Sequence, residues 1–304
     1  MLKQLRTEAS DGVNTDTIML LRLPHGGGAP AAVSIPRDTY VPIPGYREDK
    51  INAAFGATKF RAQRELAAEG TLDRAAIERE SDRRGRDALV MTVQDLTGAR
   101  IDHYAEVSLY GFYLLTEAIG GVEVCLNRTT SDPDSGASFR KGVQTISGGA
   151  ALSFVRQREN LPRGDLDRIV RQQVFLSSAM RRLLSVGTLT DPARFSALLD
   201  VVHKAVVVDR DLDIVELLRQ VSTMASGDIQ FTTIPVTGVG ARNDRGQSII
   251  TVDVTAVKAF VAALAPAQPH RFAHRPAPPT ASGARATDPS ASTPSTVDGV
   301  RCVN

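Results

Sequence analysis

Tryptophan is absent from this chain of 304 residues, aromatic side chains make up only 5% of it, and its formal net charge is just +2. Proteins that bind nucleic acid usually carry a larger excess of lysine and arginine, with aromatic residues interleaved. The sequence also has no helix-turn-helix signature. The composition therefore argues against a nucleic-acid partner and favours a small anion as the ligand of any basic site.

Cysteine is scarce as well, since Cys125 and Cys302 are the only two. Their separation does not fit the close spacing of zinc ligands. In an exported protein two such cysteines can pair, whereas in a cytosolic protein a buried thiol and a stray one are expected. Pairing requires that the end of the chain folds back onto the segment around Cys125.

Long apolar runs are missing too. No stretch approaches the roughly 20 apolar residues that a membrane-spanning helix needs. Residues 1–8 are mostly polar and have no apolar centre of the kind found in a signal peptide. The sequence as given therefore predicts neither a membrane-spanning helix nor a signal peptide within its 304 residues.

What the chain does contain is a core-forming mixture of strands and helices, with 42% hydrophobic residues. Apolar residues 17–23 and 31–36 predict a hairpin with a glycine-rich turn. Further strands are predicted at residues 103–107, 122–126, 230–235 and 248–251, and a polar loop at 127–143. Helices are predicted at residues 50–65, 82–96, 110–119, 165–184, 192–206, 212–224 and 254–264, with a short one from residue 147.

This order of elements predicts an α/β fold (an α+β sandwich) in which a central mixed β-sheet is covered by helices on both faces. The predicted domain covers residues 1–265. Residues 266–304 are rich in proline, alanine, serine and threonine, a composition that buries too little surface to offset the entropy of ordering. They are predicted to form a disordered tail.

Charge is unevenly placed, because seven arginines fall between residues 156 and 182. In an extended segment, Arg156 and Arg158 would point to the same side. On the predicted helix, Asp165, Arg168 and Gln172 share one face, and Arg171 lies about 60–100° round from them. Guanidinium groups keep their charge and match phosphate oxygens two at a time. The run predicts a convergent phosphate site, with an exposed basic helix as the alternative; Arg181 and Arg182 are assigned to a solvated face.

Two acids and an arginine stand at the ends of the predicted hairpin. Arg37 and Asp38 directly follow the second strand, and Asp16 directly precedes the first. If the hairpin forms, these residues come close together, and an acid beside a basic cluster can hold Mg²⁺. The alternatives are a local Arg37–Asp38 ion pair and a turn role for Asp16.

Taken together, these segments resemble the LytR–CpsA–Psr family over about residues 14–265. The run of arginines is similar to the actinobacterial branch. The motifs that carry the resemblance, in the family's order, are Asp16-Thr-Ile-Met-Leu20, Ser34-Ile-Pro-Arg-Asp-Thr-Tyr-Val41, Lys50-Ile-Asn-Ala-Ala54, Gly120-Gly-Val122, Phe154-Val-Arg-Gln-Arg158 and Arg163-Gly-Asp-Leu-Asp-Arg-Ile-Val-Arg-Gln-Gln173.

The resemblance implies an anchored enzyme at the outer face of the cytoplasmic membrane. Such an enzyme moves a glycopolymer phosphate from a polyprenyl-pyrophosphate carrier to peptidoglycan, with Mg²⁺, or Mn²⁺ in its place, as the metal. For the actinobacterial branch it implies arabinogalactan as the polymer. A non-catalytic protein that binds polyprenyl pyrophosphate or a wall polymer is the alternative.

The resemblance also implies roles for individual residues. Asp16 resembles the metal ligand. The catalytic set is expected to comprise Arg37, Asp38, Arg156, Arg158 and Asp165, with the two acids orienting arginines or transferring a proton. The substrate-binding set is expected to comprise Arg37, Lys50, Asn52, Arg156, Arg158, Arg168, Arg171 and Gln172. Alanine at Arg37 or Arg156 is expected to abolish activity and leave the fold intact.

Two departures from the family pattern concern the start of the chain. Relatives have an upstream strand that ends in a Gly-x-Asp motif, preceded by a membrane helix, and neither is found before Asp16. We expect that Met1 is not the natural start, the alternative being a degenerate member with weakened metal binding. Asn14 stands where many relatives have an arginine, which removes one phosphate contact.

Overall fold

The computed structural model of the chain describes residues 14–24, 30–184, 191–217, 220, 229–264, 296–297 and 300–304. Its strands are β1 Ile18–Arg22, β2 Ala31–Ile35, β3 Tyr40–Pro42, β4 Glu48–Lys50, β5 Ala105–Val107, β6 Val122–Leu126, β7 Thr130–Asp132, β8 Ala137–Phe139, β9 Gly142–Ile146, β10 Val206–Val208, β11 Gln230–Thr233, β12 Gly238–Arg242, β13 Ser248–Thr251, β14 Thr296–Val297 and β15 Val300–Val303. Its helices are α1 Ala53–Glu69, α2 Arg74–Thr97, α3 Leu109–Ala118, α4 Gly148–Arg156, α5 Asp165–Leu184, α6 Pro192–Ala205 and α7 Val254–Ala263.

The sheet that matters most for the site has the order β1-β2-β11. Strand β2 pairs antiparallel with β1 and parallel with β11, and all five of its residues are buried. Val33 and Ile35 pack into a core with residues of α2 and α7. Ser34, which points to the opposite face, accepts a hydrogen bond from Gln173 of α5 at 2.9 Å. Helices therefore cover both faces of this mixed sheet, and the predicted α/β class is confirmed.

A second sheet has the order β14-β15-β6-β9. Its core contains Phe139, Phe154 and Phe175, and the ring of Phe154 meets that of Phe139 edge-on at 5.6 Å between centroids. Phe175 belongs to α5, two residues beyond Gln173, so α5 packs against both sheets. Val174 and Phe175 pack into the core of the second sheet, whereas the buried amide of Gln173 contacts the first.

Secondary-structure predictions were wrong at several places in the chain. Helix α2 begins at Arg74 rather than near residue 82, because the carboxylate of Asp73 accepts a hydrogen bond from the backbone N–H of Ala76 at 2.7 Å and caps the helix. The segment 127–143, predicted as a loop, contains the β7–β8 hairpin and the start of β9. These strands are three to five residues long, too short to give a clear period-two pattern.

The predicted disorder of residues 266–304 is wrong at the very end of the chain. Residues 300–303 form β15, which lies parallel to β6 with Cys302 opposite Cys125. The two cysteines form a disulfide, so the pairing that the sequence left open is confirmed. The rest of the predicted tail, residues 266–295 and 298–299, lies outside the described residues. No helix within the described part of the chain is long and apolar enough to cross a membrane.

Removing the disulfide is expected to destabilise the fold. Replacing Cys125 and Cys302 together by serine should lower the free energy of unfolding by about 2–4 kcal/mol, because the bond joins positions 177 residues apart and restricts the unfolded chain. Denaturant unfolding with and without a reductant measures this. Two titratable thiols in the unreduced native protein, or an unfolding midpoint that the double substitution leaves unchanged, would contradict the bond.

Candidate active site

The first half of the site lies where β1 begins and β2 ends. Ile18 pairs with Ile35, so the residues just before β1 lie opposite those just after β2. Nη1 of Arg37 donates to Oδ1 of Asp16 across this gap. The backbone is fixed here, because the carbonyl of Arg37 accepts from the N–H of Asn52 at 3.2 Å. The predicted proximity of Asp16 and Arg37 is confirmed.

Strand β4 brings a second cation to the same place. Tyr40 of β3 pairs with Lys50 of β4, and Nζ of Lys50 lies 2.9 Å from Oδ1 of Asp38. The other carboxylate oxygen of Asp38 lies 3.7 Å from Nε of Arg37. Asp38 therefore holds two cations beside each other, as a positioning acid would.

The second half of the site is the start of α5. The first turn of this helix is secured by Asp167, whose carboxylate accepts from both the backbone N–H (3.0 Å) and the Nε (2.8 Å) of Arg163. This leaves Asp165 available to pair with Arg168, and their Oδ1 and Nη2 atoms lie 2.7 Å apart. Nε of Arg158 lies 3.9 Å from the same oxygen of Asp165.

The two halves form one electrostatic cluster. Burial raises the pKa of Asp165, and the charges of Arg168 and Arg37 oppose that shift while Asp38 and Asp16 add to it. Burial also lowers the pKa of Arg168, although nearby carboxylates favour its charged form. Charged residues at the strand ends thus affect the protonation of Asp165 and Arg168 at the start of α5. Such an effect requires that the strand ends and the start of the helix lie close together.

Several polar atoms of this cluster are buried without a hydrogen-bond partner among the described residues: Nε of Arg37, Nε of Arg168 and Oδ2 of Asp165. Arg168 is only 3% exposed as a residue. Unsatisfied buried donors are costly, and a bound anion would satisfy them. Such an arrangement can bind phosphate and can stabilise negative charge that develops during its transfer.

Other predicted site residues take different places. Arg171 is fully buried, with Nη1 donating to Gln157 at 2.6 Å and Nε to the main-chain oxygen of Asn304, and burial lowers its pKa to about 10. Its predicted contact with substrate is therefore not supported, since its guanidinium holds β15 against α5. Gln172 likewise donates to the carbonyl of Val155 at 3.1 Å.

The predicted extended segment holding Arg156 and Arg158 was wrong. Arg156 is the last residue of α4 and is half-buried, while Arg158 follows the helix and its side chain is 45% exposed. Arg181 donates to Ser177 and Ser178, and Arg182 donates to the carbonyl of Ile119. Both are exposed and lie outside the cluster, as predicted.

Comparison with known proteins identifies the family to which the chain belongs. The LytR_cpsA_psr family model matches residues 4–265. The chain belongs to the LytR–CpsA–Psr family. Its sequence is 49% identical to the cell wall biosynthesis protein LcpA of Corynebacterium glutamicum over 85% of this chain and 50% of that protein. It is 31% identical to the polyisoprenyl-teichoic acid–peptidoglycan teichoic acid transferase TagU of Oceanobacillus iheyensis, over 74% of this chain and 62% of that one.

Among solved structures, TagV of B. subtilis superposes with a TM-score of 0.65 at 22% identity, covering 84% of this chain and 91% of that one. This likeness shows that the two share the LytR–CpsA–Psr fold. The chain spans about half the length of the curated actinobacterial relative it matches.

Sequence reasoning missed Gln173, which lies between the two halves of the candidate site. Its side-chain amide donates to Ser34 Oγ of β2 at 2.9 Å, and to the Thr232 carbonyl (2.9 Å) and Thr233 Oγ1 (3.1 Å) of β11. This amide joins the helix that carries Arg168 to the strand that leads to Arg37. Its place among the apolar residues of an amphipathic helix, at the end of the motif Arg163–Gln173, is a signal that could have revealed it.

Replacing Gln173 by leucine should therefore loosen the two halves of the site. We expect a loss of about 1–3 kcal/mol in the free energy of unfolding, because buried polar groups of β2 and β11 lose their partner. Denaturant unfolding measures this, and Gln144→Leu is the control because, among the described residues, the amide of the half-buried Gln144 makes a single hydrogen bond, at the surface, to the carbonyl of Arg140. Equal stability of the two variants would contradict a joining role for Gln173.

A metal at this site would depend on few protein ligands. Asp16 is the most exposed acid of the cluster, at 58% for its side chain. Within the described residues, the three carboxylates of the cluster do not come within a common coordinating distance. Mg²⁺ is often held by one or two carboxylates together with substrate phosphates and water. Asp16 fits that limited role as one ligand.

Proposed function

We propose that this chain transfers a glycopolymer phosphate from a polyprenyl-pyrophosphate carrier to a hydroxyl of peptidoglycan, working at the membrane surface outside the cytoplasm. The observation that carries the proposal is the convergence of Arg37 and Arg168, from separate elements, each with a buried guanidinium Nε that has no hydrogen-bond partner among the described residues. The name of TagU, a polyisoprenyl-linked teichoic acid transferase, supports the same reaction class.

The proposed reaction is a phosphoryl transfer. An acceptor hydroxyl oxygen bonds to the phosphorus that carries the polymer, the anhydride P–O bond breaks, and polyprenyl phosphate leaves with the electron pair. Arg37, Arg168 and the nearby Arg158 would bind the pyrophosphate oxygens and offset the charge that gathers on the leaving phosphate. Lys50 would add a further positive charge next to Arg37, held there by Asp38.

Asp165 is our candidate for the group that accepts the proton of the attacking hydroxyl. One of its oxygens is bonded to Arg168, and the other lacks a protein partner in the described part of the chain. A raised pKa makes its carboxylate a better base than an ordinary aspartate. Asp38 is less suited, because both of its oxygens face cations.

Mg²⁺, or Mn²⁺ in its place, would supply additional charge on the phosphate oxygens through Asp16. Asp16, which accepts a hydrogen bond from Arg37 in this structure, is the residue that would hold the ion. We propose arabinogalactan as the polymer, on the strength of the similarity to an actinobacterial cell wall biosynthesis protein.

The direct test is to incubate the purified protein with a polyprenyl-pyrophosphate-linked oligosaccharide, Mg²⁺ and soluble peptidoglycan glycan strands. Release of polyprenyl phosphate together with labelled acceptor is the expected result. Tight binding of the carrier with neither product, also in a longer form of the protein that includes further upstream residues, would instead identify a non-catalytic binder.

A further inference from the structure

A cavity of about 610 Å³ opens beside the loop that joins α4 to α5. Its walls come from residues 128–131, at the start of β7, and from residues 160–162 of that loop. Arg158 precedes Asn160 by two residues, so their Cα atoms are at most about 7.6 Å apart. The lining residues 160–162 thus belong to the loop that joins two members of the arginine cluster, Arg158 and Asp165, whose side chains approach to 3.9 Å.

The two walls are fastened to each other. Nη2 of Arg128 donates to the carbonyl of Asn160 at 2.9 Å, and the amide of Asn160 donates to the carbonyl of Ser131 at 2.7 Å. Asn160 has a φ of 61°, in the left-handed region that asparagine adopts more readily than most residues. The two walls of the cavity, which opens widely to solvent, are thus held together by side-chain hydrogen bonds and by a residue type that suits this backbone conformation.

The lining suits a glycan better than it suits a lipid or a pyrophosphate. Arg128, Ser131 and Asn160 are exposed and offer a guanidinium, a hydroxyl and an amide, while Leu161 and Pro162 add apolar surface. Sugars present hydroxyls at their edges and apolar C–H faces, and a single guanidinium matches a carboxylate. The volume also lies within the usual range for a small-ligand site, about 300–1,000 Å³.

We propose that this cavity binds the acceptor glycan of peptidoglycan, with Arg128 contacting a carboxylate of the acceptor and Ser131 and Asn160 contacting sugar hydroxyls. This assignment rests on the proposed transfer function and places the second substrate beside the first. A glycan held here would lie against the loop that runs from Arg158 to Asp165, while the cluster holds the carrier pyrophosphate.

The test separates acceptor binding from carrier binding. Ser131→Phe fills the cavity, and Arg128→Gln removes its charge while keeping a donor for the Asn160 carbonyl. Each variant should raise the KM for soluble glycan strands about tenfold or more, as expected for the loss of one charged hydrogen bond or of the binding volume. The affinity for the polyprenyl-pyrophosphate carrier should stay within about twofold of wild type. Arg301→Gln is the control, because Arg301 is exposed on β15.

An unchanged acceptor KM in both variants would overturn the assignment, and so would an equal loss of carrier affinity. If the wild-type protein transfers nothing, the binding of glycan strands is measured directly by NMR titration. Binding that Ser131→Phe weakens would uphold the acceptor site although the transfer function had failed. Absence of any binding would overturn both.

Discussion

Replacing Arg37 by alanine is expected to lower the rate of transfer about 10³-fold or more while the protein stays folded. Arg37 follows the buried strand β2, so its guanidinium is placed by the core rather than by a mobile loop. Removing it takes away charge that we assign to the pyrophosphate and leaves Asp16 without its partner. The rate of polyprenyl phosphate release, measured beside the thermal unfolding curve, checks both parts of the expectation.

Arg100→Ala provides a matched control for this substitution. Arg100 also pairs with an aspartate, Asp102, but its side chain is 84% exposed and belongs to a surface ion pair. Surface pairs contribute at most about 1 kcal/mol to stability. The control should therefore keep full activity. Loss of activity through unfolding of Arg37→Ala would mean that Arg37 is structural.

Replacing Asp165 by asparagine is expected to lower the rate about 10²- to 10³-fold and to change its dependence on pH. The carboxylate must be ionised to accept a proton, and burial raises its pKa. The ordinary pKa of an aspartate is near 4. In the wild-type protein, activity should therefore fall as the pH drops through a value higher than this one. Asparagine cannot ionise, so the variant should lose this acidic limb.

The pH profile distinguishes a base from a residue that only positions Arg168. Asp165→Glu is the companion variant, since it keeps the carboxylate and should retain part of the activity together with an acidic limb. If Asp165→Asn is slow but keeps the wild-type limb, Asp165 acts by holding Arg168 and another group takes the proton. Asp38→Asn is then the next variant to profile.

Much of this fold could be predicted from the sequence, because its main elements have strong local patterns. The bounds of α5 agree with the prediction, since its apolar positions recur with helical spacing. The proximity of Asp16 and Arg37 could be predicted because the two residues flank the same end of one predicted hairpin, whose strands pair in the structure. For this contact, which needed only the pairing of two neighbouring strands, sequence reasoning was sufficient.

Contacts made by distant parts of the chain were beyond such reasoning. Helical geometry gives the angle between Arg168 and Arg171, but only the structure shows that Arg171 faces Gln157 and Asn304 instead of the phosphate site. Strand β15 was hidden because its apolar residues follow a long segment of proline, alanine, serine and threonine. The joining role of Gln173 was likewise hidden, because its partners lie 139 and about 60 residues away.

The central claim is that Arg37 and Arg168 bind one and the same pyrophosphate. A double-mutant cycle tests it most directly, with the Kd of a short prenyl pyrophosphate measured by calorimetry for wild type, Arg37→Ala, Arg168→Gln and the double variant. We predict that each single variant weakens binding about tenfold or more, and that the double variant is much less weakened than the sum of the two would require. Strictly additive losses, or affinities equal to that of wild type in variants that remain folded, would contradict a shared site.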